Sequence, residues 1–365
     1  MGRHVAGEMP ALDRLVDDAC AGIGREIDAL CVPRLAGVVL GGGYGRGEGG
    51  VREKLETKVG VGEMEDRFHS PTLTLSNDLD FFAITEDGAP EAETVAAIGD
   101  ALRPISEKWT AKLGIDVDFT VKTPWRIRHD QERLMIQELL RGYCDVAGKK
   151  GEQLFAGMEM VDAAKLPWME AARLLMNRGM GLLFALSRST REVVGNSCRK
   201  DGKFHSSTTT QNYNFLSNSL SNSELQLHSD FVVRNINKCI LGAGDARLIS
   251  RHAYTWRAED RAKALGDALY GAAVEWKFRP KAEPVCEWEK AREVWLAALD
   301  EVLAAGRGPR TIRSAVRWLV RRRSVGDIRT FALDPVVRVL DSVARRVRER
   351  RAPGDALMRD WQVFN

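Results

Sequence analysis

A small α/β core with a mixed sheet, followed by an all-helical domain, is the fold class this sequence predicts. Three observations predict it. Short apolar runs bounded by glycine or acidic residues, at 36–40, 79–84 and 113–121, have the composition of buried strands. Helical periodicity fills the intervals at 11–30 and 91–109. Beyond Pro124 the apolar residues recur at helical period through most of the chain.

In chain order, Leu12, Leu15, Val16, Cys20, Ile23, Ile27 and Leu30 recur at three- and four-residue steps, the mark of an amphipathic helix that Pro33 ends. The run 36–40 then leads into a glycine turn, Gly41-Gly42-Gly43-Tyr44-Gly45-Arg46-Gly47-Glu48. That places the turn at the carboxyl end of a strand, where α/β folds hold their ligands. Residues 49–76 mix glycine, lysine and glutamate with few large apolar side chains, as expected of an inserted surface loop or short hairpin. A strand over 79–84, a helix over 91–109 interrupted by Pro104, and a strand over 113–121 complete a domain of residues 1–124. Residues 125–365 form the expected helical domain, with helices over 126–143, 163–186, 229–250, 258–276 and 288–305. The stretch 196–223 is rich in Ser, Thr and Asn and is expected to be a mobile loop.

Composition narrows the function. A net charge of +3 over 365 residues carries no global signal for polyanion binding. Arginine is concentrated in 307–351, including Arg321-Arg322-Arg323 and Arg345-Arg346. Val316, Leu319, Val336, Leu340 and Val343 interleave there, so amphipathic helices with solvated basic faces are expected ahead of an RNA-binding patch. Tyr254 and Trp256, near a helix end, read as packing ahead of base stacking. The six cysteines are scattered without a CxxC pair, which predicts reduced thiols and a cytoplasmic protein. No apolar run is long enough to span a bilayer, so no membrane partner is expected.

The chemistry sits in two acidic segments, Asn77-Asp78-Leu79-Asp80-Phe81 and Ile115-Asp116-Val117-Asp118-Phe119. Residues two apart on a strand share a face. Asp78 therefore projects with Asp80, and Asp116 with Asp118, while their apolar neighbours turn into a core. Carboxylates are costly beside an apolar core, and hard oxygen ligands suit Mg²⁺. A glycine turn lets backbone amides approach a polyphosphate, and Arg46 adds a fork of donors. Carboxylates holding two Mg²⁺ ions beside such a turn predict nucleotidyl transfer. Competing motifs fail. Gly45, Gly47 and Gly50 formally fit GxGxxG, but a charged segment follows instead of an apolar-periodic helix. There is no GxxxxGK[ST] run, no HRD or DFG triplet, and no HExxH pair.

The ordered trio of Gly42-Gly43-Tyr44-Gly45-Arg46-Gly47-Glu48, Asn77-Asp78-Leu79-Asp80 and Ile115-Asp116-Val117-Asp118 resembles the DNA polymerase β-type nucleotidyltransferase superfamily. The resemblance covers residues 35–122 and extends in layout to the helical domain of bacterial members. It implies that Gly42 and Gly43, with Tyr44 and Arg46, hold the nucleotide, that Asp78 and Asp80 bind metal, and that Asp118 is the third carboxylate, with Asp116 the other candidate. It also implies that a basic residue of the helical domain, Lys238, meets the triphosphate of an NTP substrate. Two departures stand out: Gly43 occupies the place of a commoner serine, and the insertion at 49–76 lengthens the path to Asp78. The acceptor is left open between a small molecule, a protein and an RNA. The alternative is a catalytically inactive nucleotide- or RNA-binding module on the same fold.

Overall fold

The computed structural model describes residues 2–54, 72–88, 91–201, 222–306 and 335–363. They form two compact units. The first is Met1–Asp162 with Glu275–Lys281, and the second is Ala163–Val274 with Ala282–Asn365. The boundary expected at 124/125 falls inside the first unit, because the chain beyond it contributes a strand to the same sheet.

The first unit is an α+β structure around a four-stranded mixed sheet. Its elements are α1 (Pro10–Leu30), β1 (Leu35–Leu40), the short helix α2 (Gly42–Gly45), β2 (Val51–Lys54), β3 (Thr72–Leu75), β4 (Leu79–Thr85), α3 (Glu91–Leu113), β5 (Val117–Lys122), α4 (Pro124–His129), α5 (Leu134–Arg141), β6 (Cys144–Gly148) and α6 (Gly151–Leu154). The sheet order is β5-β4-β1-β6, with β4 and β5 parallel and the other pairs antiparallel. The strands β2 and β3 pair separately as the legs of a hairpin, so the expected insertion is a hairpin where it is described; 55–71 lie outside the described residues.

Alternation along the strands builds a core on each face of the sheet. Val38, Leu40, Leu79, Phe81, Ala83 and Val117 face one way, against Val16, Ile23 and Ile27 of α1 and Ile98, Leu102 and Trp109 of α3. Val39, Phe82 and Ile84 face the other way, against Ile127 of α4, Ile136 and Leu139 of α5, and Phe155. This packing explains why Pro104 does not end α3, contrary to the sequence expectation. An interior proline costs a helix about 3 kcal/mol, but Leu102, Ile105 and Trp109 are all buried around it. The strand β6 also departs from the expected single helix over 126–143 with helical structure beyond. Its sequence Cys-Asp-Val-Ala-Gly has little strand propensity, and it forms through pairing with β1 at the sheet edge.

The second unit is helical: α7 (Trp168–Asp201), α8 (Asn222–Ser250), α9 (Ala258–Leu265), the first part of α10 (Ala268–Phe278), α11 (Trp288–Gly306), α12 (Pro335–Glu349) and α13 (Asp355–Gln362). The helix expected over 258–276 is divided at Gly266, which adopts φ +63° and caps α9. The stretch 196–223, expected to be a loop, is helical at both its described ends, and 202–221 lie outside the described residues. A buried Trp295 on α11 donates its indole N–H to the Leu175 carbonyl at 3.0 Å. Several C-terminal arginines have structural partners. Arg350 grips Glu289 at 2.7 and 3.1 Å, and Arg346 donates to the Ala352 carbonyl at 2.6 Å. Arg321, Arg322 and Arg323 lie outside the described residues. No helix among the described residues is long and apolar enough to cross a membrane.

Candidate active site

Strand register decides which acids meet. In the parallel pair β4–β5, Asp80 is opposite Asp118 and Phe81 is opposite Phe119. The two phenylalanine rings stack at 5.2 Å on the core side. Asp80 and Asp118, one residue earlier on each strand, therefore lie side by side on the other face, about 4.8 Å apart at the backbone. Asp80 is half-buried and Asp118 exposed. Asp78 directly precedes β4, two residues before Asp80, and is half-buried. Asp116 precedes β5, is exposed, and accepts the Leu79 amide through its carbonyl at 2.8 Å.

The glycine turn reaches the same place. Because β1 and β4 run antiparallel, with Leu40 opposite Phe81, the end of β1 lies beside the start of β4. The Gly41 amide donates to the Asp80 carbonyl at 2.8 Å. Gly42, at φ +60°, backs directly onto the Asp80 side chain: a Cβ there would sit 3.1 Å from Asp80 Cβ and Cγ and closer still to Oδ2. The amides of Gly41, Gly45, Arg46, Gly47, Glu48 and Gly49 all reach backbone carbonyls. Those of Gly42, Gly43 and Tyr44 form the first turn of α2, and among the described residues they have no backbone acceptor.

Tyr44 corrects the sequence expectation. It is wholly buried, with no surface for a nucleotide. Its hydroxyl donates to the Gly50 carbonyl at 2.8 Å and accepts the amides of Ser76 and Asn77 at 3.2 and 3.4 Å. Gly49 makes room for its ring, since any Cβ at that position would overlap it. Tyr44 is thus the post that ties the turn to the segment carrying Asp78. Burial pushes its phenol up to about 12, opposed by the two amides and reinforced by the charge of Asp78. Tyr44→Phe leaves one carbonyl and two amides without this partner, and should destabilise the protein by about 2–3 kcal/mol in urea unfolding.

Arg46 is also not the open fork that was expected. Its side chain is only 13% exposed and lies between Glu48 Oε2 at 3.7 Å and Glu138 Oε2 at 3.3 Å. Its Nε is buried without an acceptor among the described residues. Lys277 of α10 brings a second cation to the same Glu48 oxygen, at 2.7 Å, within the first unit. Asn77 Nδ2 donates to the Lys277 carbonyl at 3.4 Å. Lys277 had no sequence signal: it stands 229 residues from its partner at the end of an ordinary helix. Glu48 stood in plain view inside the turn, yet its burial was invisible. Lys238, expected at the triphosphate, belongs to α8 of the second unit and is half-buried there. Asp245 on the same helix is engaged by Arg261 at 2.8 Å and by the Tyr270 hydroxyl. Tyr254 is buried and packs edge-on against Trp256 with the Arg261 guanidinium over its ring, a structural arrangement.

The donor set suits a hard divalent cation. Among the described residues no three His, Cys, Asp or Glu side chains form a preassembled metal-holding group. Mg²⁺ does not require one, because it commonly takes one or two carboxylates and fills its shell with substrate phosphates and water. Asp80 and Asp118, paired across β4 and β5, supply two carboxylates of that type. No family model, curated protein or solved structure matches this chain.

Proposed function

We propose that the protein is a metal-dependent nucleotidyltransferase of the polymerase β type, which moves a nucleoside monophosphate from an NTP to an acceptor and releases pyrophosphate. One observation carries the reading: Gly42 backs onto the Asp80 side chain, and Asp118 stands beside Asp80 across a parallel strand pair. Asp78, Asp80 and Asp118 would hold Mg²⁺, which would supply positive charge to the triphosphate and the departing pyrophosphate. The amides of Gly42 and Gly43 would take phosphate oxygens. Arg46 and Lys277 would bring positive charge to the same turn, and Glu48 keeps both cations in place before phosphate arrives. Asp118, the more exposed acid, would take the proton of an attacking hydroxyl.

Incubation with each α-labelled NTP, Mg²⁺ and a cell-extract acceptor pool tests this. Pyrophosphate release and transfer of label are expected with at least one nucleotide. Sensitivity of the labelled product to nuclease or protease then sorts RNA, protein and small-molecule acceptors. Binding of MgNTP without pyrophosphate release would instead favour a silent nucleotide-binding module.

Lys277→Met provides a second test. Removing one of two cations from a carboxylate that is only 5% exposed should cost about 1–3 kcal/mol of stability. It should also weaken MgNTP binding about tenfold, or about 1.4 kcal/mol. Urea unfolding and titration calorimetry measure the two effects separately.

A further inference from the structure

The segment beneath the glycine turn contains a histidine that the chemistry above does not use. His4 is fully buried. Its Nδ1 lies 3.2 Å from the Tyr44 carbonyl oxygen, and its Nε2 lies 3.0 Å from Asp17 Oδ1 on α1. A carbonyl oxygen and a carboxylate oxygen can only accept. A ring protonated on both nitrogens satisfies both acceptors at once, whereas either neutral tautomer turns a lone pair towards one of these oxygens. The backbone repeats the attachment. The Gly49 amide donates to the His4 carbonyl at 3.0 Å, the Ala6 amide donates to the Gly49 carbonyl at 2.9 Å, and Val5 bridges to Gly49.

We infer that His4 is a positioning residue for the glycine turn, a doubly protonated strut that ties the Tyr44 carbonyl to Asp17. The geometry of this strut stands by itself; its consequence for nucleotide binding rests on the nucleotidyltransferase reading.

The surroundings of the ring are charged and titratable on several sides. Asp17 also receives Arg3 at 3.0 Å, and Asp13 Oδ1 accepts the His4 amide at 2.8 Å. Cys144 of β6 places its sulfur 3.9 Å from Nδ1. Cys20 of α1 is a further buried thiol nearby, and burial pushes it up to about 12. Burial of His4 favours the neutral ring, but hydrogen bonds to Cys144 and Asp17 outweigh it and raise the imidazole to about 9. A raised folded-state value means that protonation stabilises the fold fully below the ordinary imidazole value of 6.5, and that this support is lost as pH rises through about 9. The strut is therefore in place at neutral pH and comes undone in mild alkali.

The test is nuclear magnetic resonance of the full chain carrying ¹⁵N-histidine and ¹⁵N-glycine. Both His4 ring nitrogens should be protonated at neutral pH and titrate with a midpoint near 9. The amides of Gly45, Gly47 and Gly49 should move with the same midpoint. Asp17→Asn should lower that midpoint by about one unit or more. Cys144→Ala should preserve the joint movement of ring and glycines, which separates the strut from titration of the thiol itself. His4→Gln should abolish the transition in the glycines and flatten the fall in melting temperature between neutral pH and pH 9. A His4 ring that is neutral at neutral pH, glycine amides that ignore it, or a midpoint indifferent to Asp17→Asn would each overturn the inference. MgATP affinity measured across the same range should fall severalfold with the His4 midpoint. Absence of binding by all four MgNTPs at every pH would sink the nucleotidyltransferase reading while the spectra still decide the role of His4.

Discussion

Asp80→Asn and Asp118→Asn are each expected to reduce pyrophosphate release by about 10³-fold, within the range that loss of an essential proton-transfer or metal-binding group produces. The substitutions are nearly isosteric, so the effect isolates charge and ligand strength. Neither should unfold the protein. The contact beneath the two acids, the stacked pair Phe81 and Phe119, is untouched, and Asp118 is exposed. Asp116→Asn is the internal control. Asp116 precedes the β4–β5 ladder, and its carbonyl, which the substitution retains, accepts the Leu79 amide. Activity near wild type in Asp116→Asn, with collapse in Asp118→Asn, is the expected pattern, measured by steady-state pyrophosphate release alongside a thermal melt. The reverse pattern would mean that register does not select the working acid. Equal, small effects in all three variants would remove the enzymatic reading.

That prediction depends on a fact that spacing alone does not supply. The i,i+2 rule places Asp78 with Asp80 and Asp116 with Asp118, but which acid of one pair meets which of the other depends on strand direction and register, and these are set by contacts distant in sequence. Strands β1 and β4 were legible as apolar runs with buried residues on both faces, and β5 as an alternating strand with Val117, Phe119 and Val121 on its core side. The strand β6 was not, because nothing within Cys-Asp-Val-Ala-Gly favours extension without β1 to pair with. Tyr44 was misread for a related reason. The resemblance places it with the nucleotide-holding turn, but its burial depends on the Ser76–Asn77 backbone that takes up its hydroxyl. Arg46 was read as a donor fork for phosphate, but its burial beside Glu48 depends on Glu138 and Lys277, which are distant in sequence. Local pattern identified the elements and the types of group in the site. The partners of the buried charges required the fold.

Gly42→Ala should be the most damaging single change in the glycine turn, and Gly43→Ser beside it should be tolerated. Gly42 holds φ +60°, a conformation that costs a residue with a Cβ about 1–2 kcal/mol. The added methyl would also collide with the Asp80 carboxylate, so either the turn retreats or the acid rotates away. A misplacement of about 1 Å at a reacting centre is enough to cost about 10²-fold in rate. Loss of roughly that size in kcat/KM is therefore expected, with a stability loss of at least about 1–2 kcal/mol from the backbone conformation alone. Gly43 differs on both counts. It is not among the positive-φ residues, and the nearest atom to its Cβ would be the Glu48 carbonyl oxygen at 3.2 Å, a contact that a small adjustment relieves. A serine there would restore the hydroxyl that the superfamily resemblance leads one to expect. Nucleotide affinity in Gly43→Ser should be equal to or better than wild type, read by calorimetry with MgNTP. If the two substitutions instead behave alike, the contact between Gly42 and Asp80 is not what joins the turn to the acids.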